Sequence, residues 1–152
     1  MKKRAVIVGC GQMAVGWLKS LTQTSLADQV EVCALVDPAI NMAQRLHAQF
    51  DLTQAEVSDS LQATLERQKP DLVFDVAVPS ARLGIVSMGL RAGCDVLTEK
   101  PMATSLADAR TINALARETG RSHAVTQNRR FKEGIRRVRA TLESGEIGRA
   151  HV

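Results

Sequence analysis

Two short motifs carry the residue types from which chemistry can be built. Gly9-Cys10-Gly11-Gln12-Met13-Ala14 follows one apolar run, and Glu99-Lys100-Pro101 follows another, roughly ninety residues later. In the first, Gly9 permits a tight turn and Gly11 lets the backbone approach a pyrophosphate. Ala14 stands where a third glycine is common and still allows close helix–strand packing. The unpaired N–H groups and the dipole at a helix N-terminus favour anionic phosphates. Cys10, Gln12 and Met13 belong to the same ligand-facing turn. Asp37 ends the next apolar run, where a carboxylate accepts hydrogen bonds from the ribose hydroxyls of an adenosine. A 2′-phosphate there would meet like charge, so the pattern favours NAD. NADP stays open, because Arg45 lies one helical turn further on.

The second motif places a carboxylate and an amine at a strand exit. An amine beside a nicotinamide can hydrogen-bond a substrate hydroxyl or take its proton, which makes Lys100 the catalytic candidate. Glu99 would orient that lysine or the ribose, and Pro101 fixes the turn, with a cis Lys100–Pro101 bond allowed. Val78 and Pro79 end a further strand and border the same crevice. Gln127 and Asn128 follow the last strand, with amides that could face the nicotinamide. The plainer alternatives are a glycine turn without a ligand and a surface Glu–Lys pair worth under about 1 kcal/mol.

These residues need elements to hold them. Ala5–Val8 reads as a buried strand, and Met13, Trp17 and Leu21 recur on one face of a following helix. Val30–Val36 is a second strand, stopped at Asp37-Pro38. Asn41–Phe50 and Asp59–Gln68 read as helices, with a short strand or edge at Glu56-Val57 between them. Leu72–Val78 is the third clear strand, and Ala81–Ala92 is helical and ends at Gly93. Asp95–Thr98 is a strand. Ser105 and Asp108 form a capping box for a helix over Leu106–Thr119. His123–Thr126 and Phe131–Ser144 complete the series as strand and helix. This alternation predicts an α/β fold, a doubly wound parallel sheet with helices on both faces. Gly148–Val152 looks like the start of another strand, as in a chain cut from something longer.

Composition narrows the class. The 152 residues suit one domain with one core, at 45% hydrophobic and 24% charged residues. No apolar run approaches the roughly 20 residues that span a bilayer. The basic start meets the glycine turn too soon for a secretory signal. Three cysteines without a CxxC pair imply neither a disulfide framework nor a zinc site, and no metal-ligand cluster is recognisable. A cytoplasmic location and no membrane partner are expected. The net charge of +4 gathers near the end, at Arg129, Arg130, Lys132, Arg136, Arg137 and Arg139. With so few aromatics to stack on bases, a solvated helix face is the reading, and no nucleic-acid partner is expected. His47, His123 and His151 are weak candidates for chemistry.

The chain resembles the oxidoreductases named for glucose-fructose oxidoreductase, inositol dehydrogenase and MocA. The resemblance rests on the Gly9–Ala14 fingerprint, Leu35–Pro38, Asp71–Val73, Val78–Ser80, Ala92–Pro101, Gln127–Phe131 and Gly145–Gly148. It implies a Rossmann-type NAD(P)-binding domain over residues 1–148 and a hydride-transfer enzyme acting on a sugar, polyol or related hydroxy compound. It also implies that Lys100 contacts substrate and cofactor and that Glu99 lies on the cofactor side. The family often has a histidine at the position of Leu83. Its second, sheet-rich α+β domain, which holds most substrate contacts and mediates oligomerisation, is absent here, residues 149–152 reading as its start. A chain of only this length would bind cofactor and turn over little. A non-catalytic NAD(P)-binding module is the alternative, and a homo-oligomer is left open.

Overall fold

The computed structural model describes residues 1–145 and residue 148. Six strands form one parallel sheet: β1 (Lys3–Val8), β2 (Val30–Val36), β3 (Glu56–Ser58), β4 (Leu72–Asp75), β5 (Asp95–Thr98) and β6 (His123–Val125). Their order is β3-β2-β1-β4-β5-β6, the doubly wound arrangement expected from the alternating pattern. The helices are α1 (Gln12–Gln23), α2 (Ile40–Gln49), α3 (Leu61–Gln68), α4 (Arg82–Arg91), α5 (Leu106–Thr119) and α6 (Glu133–Ser144).

Right-handed crossovers divide the helices between the two faces. Ala14, Leu18 and Leu21 of α1 and Ala43 and Leu46 of α2 pack on one side, against Ile7, Leu35 and Phe74. Helices α3, α4 and α5 cover the other side, where Leu65, Val86, Leu90 and Ile112 meet Val6, Val73 and Val96. The buried face of α1 is thus rotated from the expected Met13–Trp17–Leu21 stripe, and Met13 is exposed. Small Ala14 is what sits against the sheet, because the turn at Gly9 and Gly11 brings the helix start close to β1.

Several boundaries move for local reasons. Strand β4 ends at Asp75 rather than Val78, because the Asp75 carboxylate accepts the Ala77 N–H at 3.0 Å and turns the chain. Pro79 then opens a 3₁₀ turn at Pro79–Ala81. A second 3₁₀ turn, Asn128–Phe131, delays α6 to Glu133, and a third covers Ser25–Asp28, unforeseen in the sequence. Ser105 caps α5 by accepting the Asp108 N–H at 3.0 Å, but the Asp108 carboxylate takes the Thr104 hydroxyl instead of closing the box. Gly93 and Gly120 both have the positive φ their places suggest. In α6, Glu133 pairs with Arg137 and Glu143 with Arg139, so part of the basic stretch is balanced along its own helix. No helix among the described residues is long and apolar enough to cross a membrane. Residues 149–152, read as the start of a further domain, and His151 lie outside the described residues.

Candidate functional site

Hydrogen bonds from one strand exit to the next draw both motifs to a single edge. The N–H groups of Asp37, Gly9, Val76, Glu99 and Thr126 donate to the carbonyls of Ser58, Val36, Val8, Asp75 and Thr98, at 3.1, 2.9, 2.8, 3.0 and 2.8 Å. The direction of winding reverses between β1 and β4, where open sheets leave a crevice beyond the strand C-termini. A cleft of about 460 Å³ lies there, lined by Gly9, Gly11, Asp37 and Val78 together with Asp59 and Met88.

The two glycines of the turn answer to different demands. Gly9 has φ +91°, and a Cβ on it would stand 2.6 Å from the backbone N and Cα of Ala77. The fold itself requires that glycine. Gly11 has an ordinary φ of −77°, and a Cβ there would meet nothing within 4 Å. Packing does not demand glycine there; its place as the N-cap of α1 favours it, and a ligand lying against the turn would demand it. Helix α1 has no side-chain cap and no acid in its first turn, so the N–H groups of Gln12 and Met13 remain available, while that of Ala14 donates to the Gly11 carbonyl at 3.1 Å.

Asp37 ties the turn to the end of β2. One carboxylate oxygen accepts the Cys10 N–H at 2.8 Å, the other the Ala39 N–H at 2.9 Å, and each keeps a second lone pair. Cys10 is fully buried beneath the turn. Its thiol is pushed up to about 12, by burial first and by the Asp37 charge second, with Arg45 pulling the other way. Cys10 therefore offers its backbone and packing, not a nucleophile.

The second motif straddles the sheet edge. Glu99 faces α1, where its Oε1 accepts the Trp17 Nε1–H at 2.8 Å, and Trp17 lies 5.3 Å from Phe74 in a tilted contact. It does not pair with Lys100. A groove of about 540 Å³ on this side is lined by Met13, Trp17, Phe74, Leu97, Glu99 and Asn128, which separates Met13 and Glu99 from the first cleft. Lys100 is exposed and precedes a cis peptide bond to Pro101. Among the described residues its amine has no hydrogen bond or ion pair. Pro79, Gln12 and Gln127 are exposed near the edge but line neither space, and Ala14 is core. Leu83, where the family often has histidine, packs against the apolar core.

Asp75 and Arg82 are the residues that sequence reasoning missed. Both are buried; Arg82 donates from Nε to Asp75 at 2.8 Å, from Nη2 to the Ala77 carbonyl at 3.1 Å, and from Nη1 to the Pro101 carbonyl. Burial pushes the Asp75 carboxyl above its ordinary range, against the pull of Arg82 and the Ala77 N–H. His123, half-buried, sits with Nε2 3.3 Å from Thr98 Oγ1 and is held below its usual value by burial and then by the Arg82 charge. The signal in the sequence was an acid inside an apolar strand run, which calls for a buried partner.

Comparison with known proteins agrees with this geometry. Residues 3–127 match the Gfo/Idh/MocA model, an oxidoreductase family with an NAD-binding Rossmann fold. D-Glucoside 3-dehydrogenase of Escherichia coli K12 is 31% identical over 149 residues, covering 98% of this chain and 41% of that protein. KijD10, a 3-ketoreductase from Actinomadura kijaniata solved with TDP-benzene and NADP, superposes with a TM-score of 0.83 at 28% identity, over 97% of this chain and 45% of its own. The WlbA dehydrogenase from Bordetella pertussis, solved with NADH and UDP-GlcNAcA, shares the fold with a TM-score of 0.88 at 24% identity, over 98% and 45% of the two chains. The chain thus spans less than half the length of these relatives.

Proposed function

The chain belongs to the Gfo/Idh/MocA oxidoreductases, and from that premise we propose that it is the cofactor-holding part of an enzyme that moves a hydride between a nicotinamide dinucleotide and a sugar, polyol or related hydroxy compound. The observation that carries the reading is Gly11. The turn leaves open space at its Cβ position, beside an uncapped helix N-terminus and a carboxylate fixed at the end of β2. That cradle suits a pyrophosphate against Gly11, Gln12 and Met13, with a ribose at Asp37.

Bound nicotinamide would supply the hydride acceptor. Lys100 presents an unpaired amine at the same edge, suited to donate to a substrate hydroxyl as an ammonium and, once it has released its own proton to solvent, to receive that of the hydroxyl. Val78, Pro79 and Gln127 flank the nicotinamide end in this reading. We read residues 1–148 as the dinucleotide domain and residues 149–152 as the first of a substrate domain, which would bring further substrate contacts. Two carboxylates at the adenosine end, Asp37 and Asp59, favour NAD over NADP.

Calorimetric titration of the chain with NAD and NADP tests this reading, with Asp37→Asn alongside. NAD should bind more tightly than NADP, and the variant should bind NAD more weakly and narrow the gap. Failure of both dinucleotides to bind the wild-type chain would refute it.

A further inference from the structure

We propose that Arg82 is the positioning residue of the Lys100 loop, acting through the Pro101 carbonyl. The inference rests on the reading of Lys100 as a functional amine. Arg82 is the largest fully buried side chain among the described residues. Burying a guanidinium is costly, and well-packed apolar residues of similar volume often replace a buried ion pair without loss. Packing alone therefore does not account for it. Its donors instead join three segments: Asp75 at the end of β4, Ala77 in the turn beyond, and Pro101 in the loop after β5. The planar fork of an arginine can hold such acceptors in fixed relation, as a lysine cannot.

The loop is held at its two ends from opposite faces of the sheet. Glu99 is tied to Trp17 of α1, and its N–H is bonded to the Asp75 carbonyl. Pro101 is tied to Arg82 at the start of α4. Lys100 lies between these anchors with its own amine free. Asp75 fixes the guanidinium plane and balances its charge, so that it can point at a carbonyl.

The test is amide hydrogen exchange by NMR on the ¹⁵N-labelled chain without cofactor, comparing wild type with Asp75→Leu/Arg82→Met and with Arg82→Lys. The double variant leaves no unpaired buried charge, and Arg82→Lys keeps the charge but loses the fork. In both, the Glu99 N–H should exchange about tenfold faster or more, as expected for loss of a charge-assisted hydrogen bond. The Asp37 N–H, bonded to Ser58 at the same edge but away from the Asp75 turn, should keep its rate. A purely structural role would speed both amides together, or neither, and either result overturns the proposal. If the double variant does not fold, Arg82→Lys carries the same contrast. NAD titration of the wild-type chain separates the two readings. Loop release without NAD binding would sink the cofactor reading, and NAD binding without loop release would sink the positioning role.

Discussion

Alanine at Gly9 and alanine at Gly11 should break different things. At Gly9 the new Cβ would stand 2.6 Å from two backbone atoms of Ala77 and 2.9 Å from the Val76 carbonyl carbon, at φ +91°. Backbone cannot swing aside as a side-chain tip can. A left-handed conformation costs an L-residue about 1–2 kcal/mol, and overpacking adds about 1–3 kcal/mol. Gly9→Ala should therefore lose several kcal/mol, a large fraction of the roughly 5–15 kcal/mol that holds a typical domain. For a chain of this size each kcal/mol lowers Tm by about 2–4 °C, so thermal unfolding should show a drop near 10 °C. At Gly11 the same substitution meets open space at an ordinary φ. The weaker helix cap and the stiffer unfolded chain largely offset each other, leaving stability within about 1 kcal/mol. The methyl would instead stand between the turn and a pyrophosphate, and NAD affinity by calorimetry should fall about tenfold or more. The assay is a thermal melt and an NAD titration on both variants. A Gly11→Ala protein that binds NAD as wild type does would refute the assignment of that space to a ligand. An unshifted melt for Gly9→Ala would refute the steric argument.

Other substitutions test the buried polar groups. Arg82→Met alone should cost about 3–5 kcal/mol, since it strands the Asp75 carboxyl, and Asp75→Leu/Arg82→Met should recover most of that loss in urea unfolding. His123 is held below its ordinary 6.5 in the folded chain. As pH falls below about 6.5 the unfolded state gains the proton first, so stability present at neutral pH is lost toward acid. Urea unfolding at pH 7.5 and pH 5, in wild type and His123→Gln, should show a smaller acid loss in the variant, and equal losses would exclude His123 as the source. Cys10 and Cys94, pushed up to about 12 and about 11 by burial, should resist iodoacetamide in the folded chain and react only in denaturant, as mass spectrometry would show.

What could be read from the sequence follows from how local each signal is. The central strands and the exits of both motifs were legible because buried parallel strands are short apolar runs closed by turn residues, whereas β3 and β6, at the two sheet edges and only partly buried, gave a weaker pattern. The glycine turn was legible because its sterics are local, though the sequence could not show that packing demands glycine at Gly9 and leaves the Cβ position of Gly11 empty. The end of β4 was misplaced because the deciding interaction is a side chain accepting from the backbone two residues on. The burial face of α1 was misread for the opposite reason. Trp17 looks like a core residue by type, yet its indole N–H requires a polar partner and draws it toward Glu99, while small Ala14 meets the sheet.

Glu99, Lys100 and Pro101 show where reading along the chain runs out. Adjacent residues at a strand exit appear in sequence as one functional unit, yet the pleat and the turn send them to different partners. Glu99 serves α1, the Pro101 carbonyl serves α4, and Lys100 alone stays uncommitted. An ion pair between Glu99 and Lys100 would have satisfied the amine and removed it from use. Long-range anchors, Trp17 at a separation of 82 residues and Arg82 at 19, leave it free instead. Spacing along the chain reveals neither anchor, because each is chosen by the crossovers that bring α1 and α4 to opposite faces of the same edge. The freedom of the amine is thus a property of the fold, and Arg82, unremarkable in the sequence, is where it can be perturbed without touching Lys100.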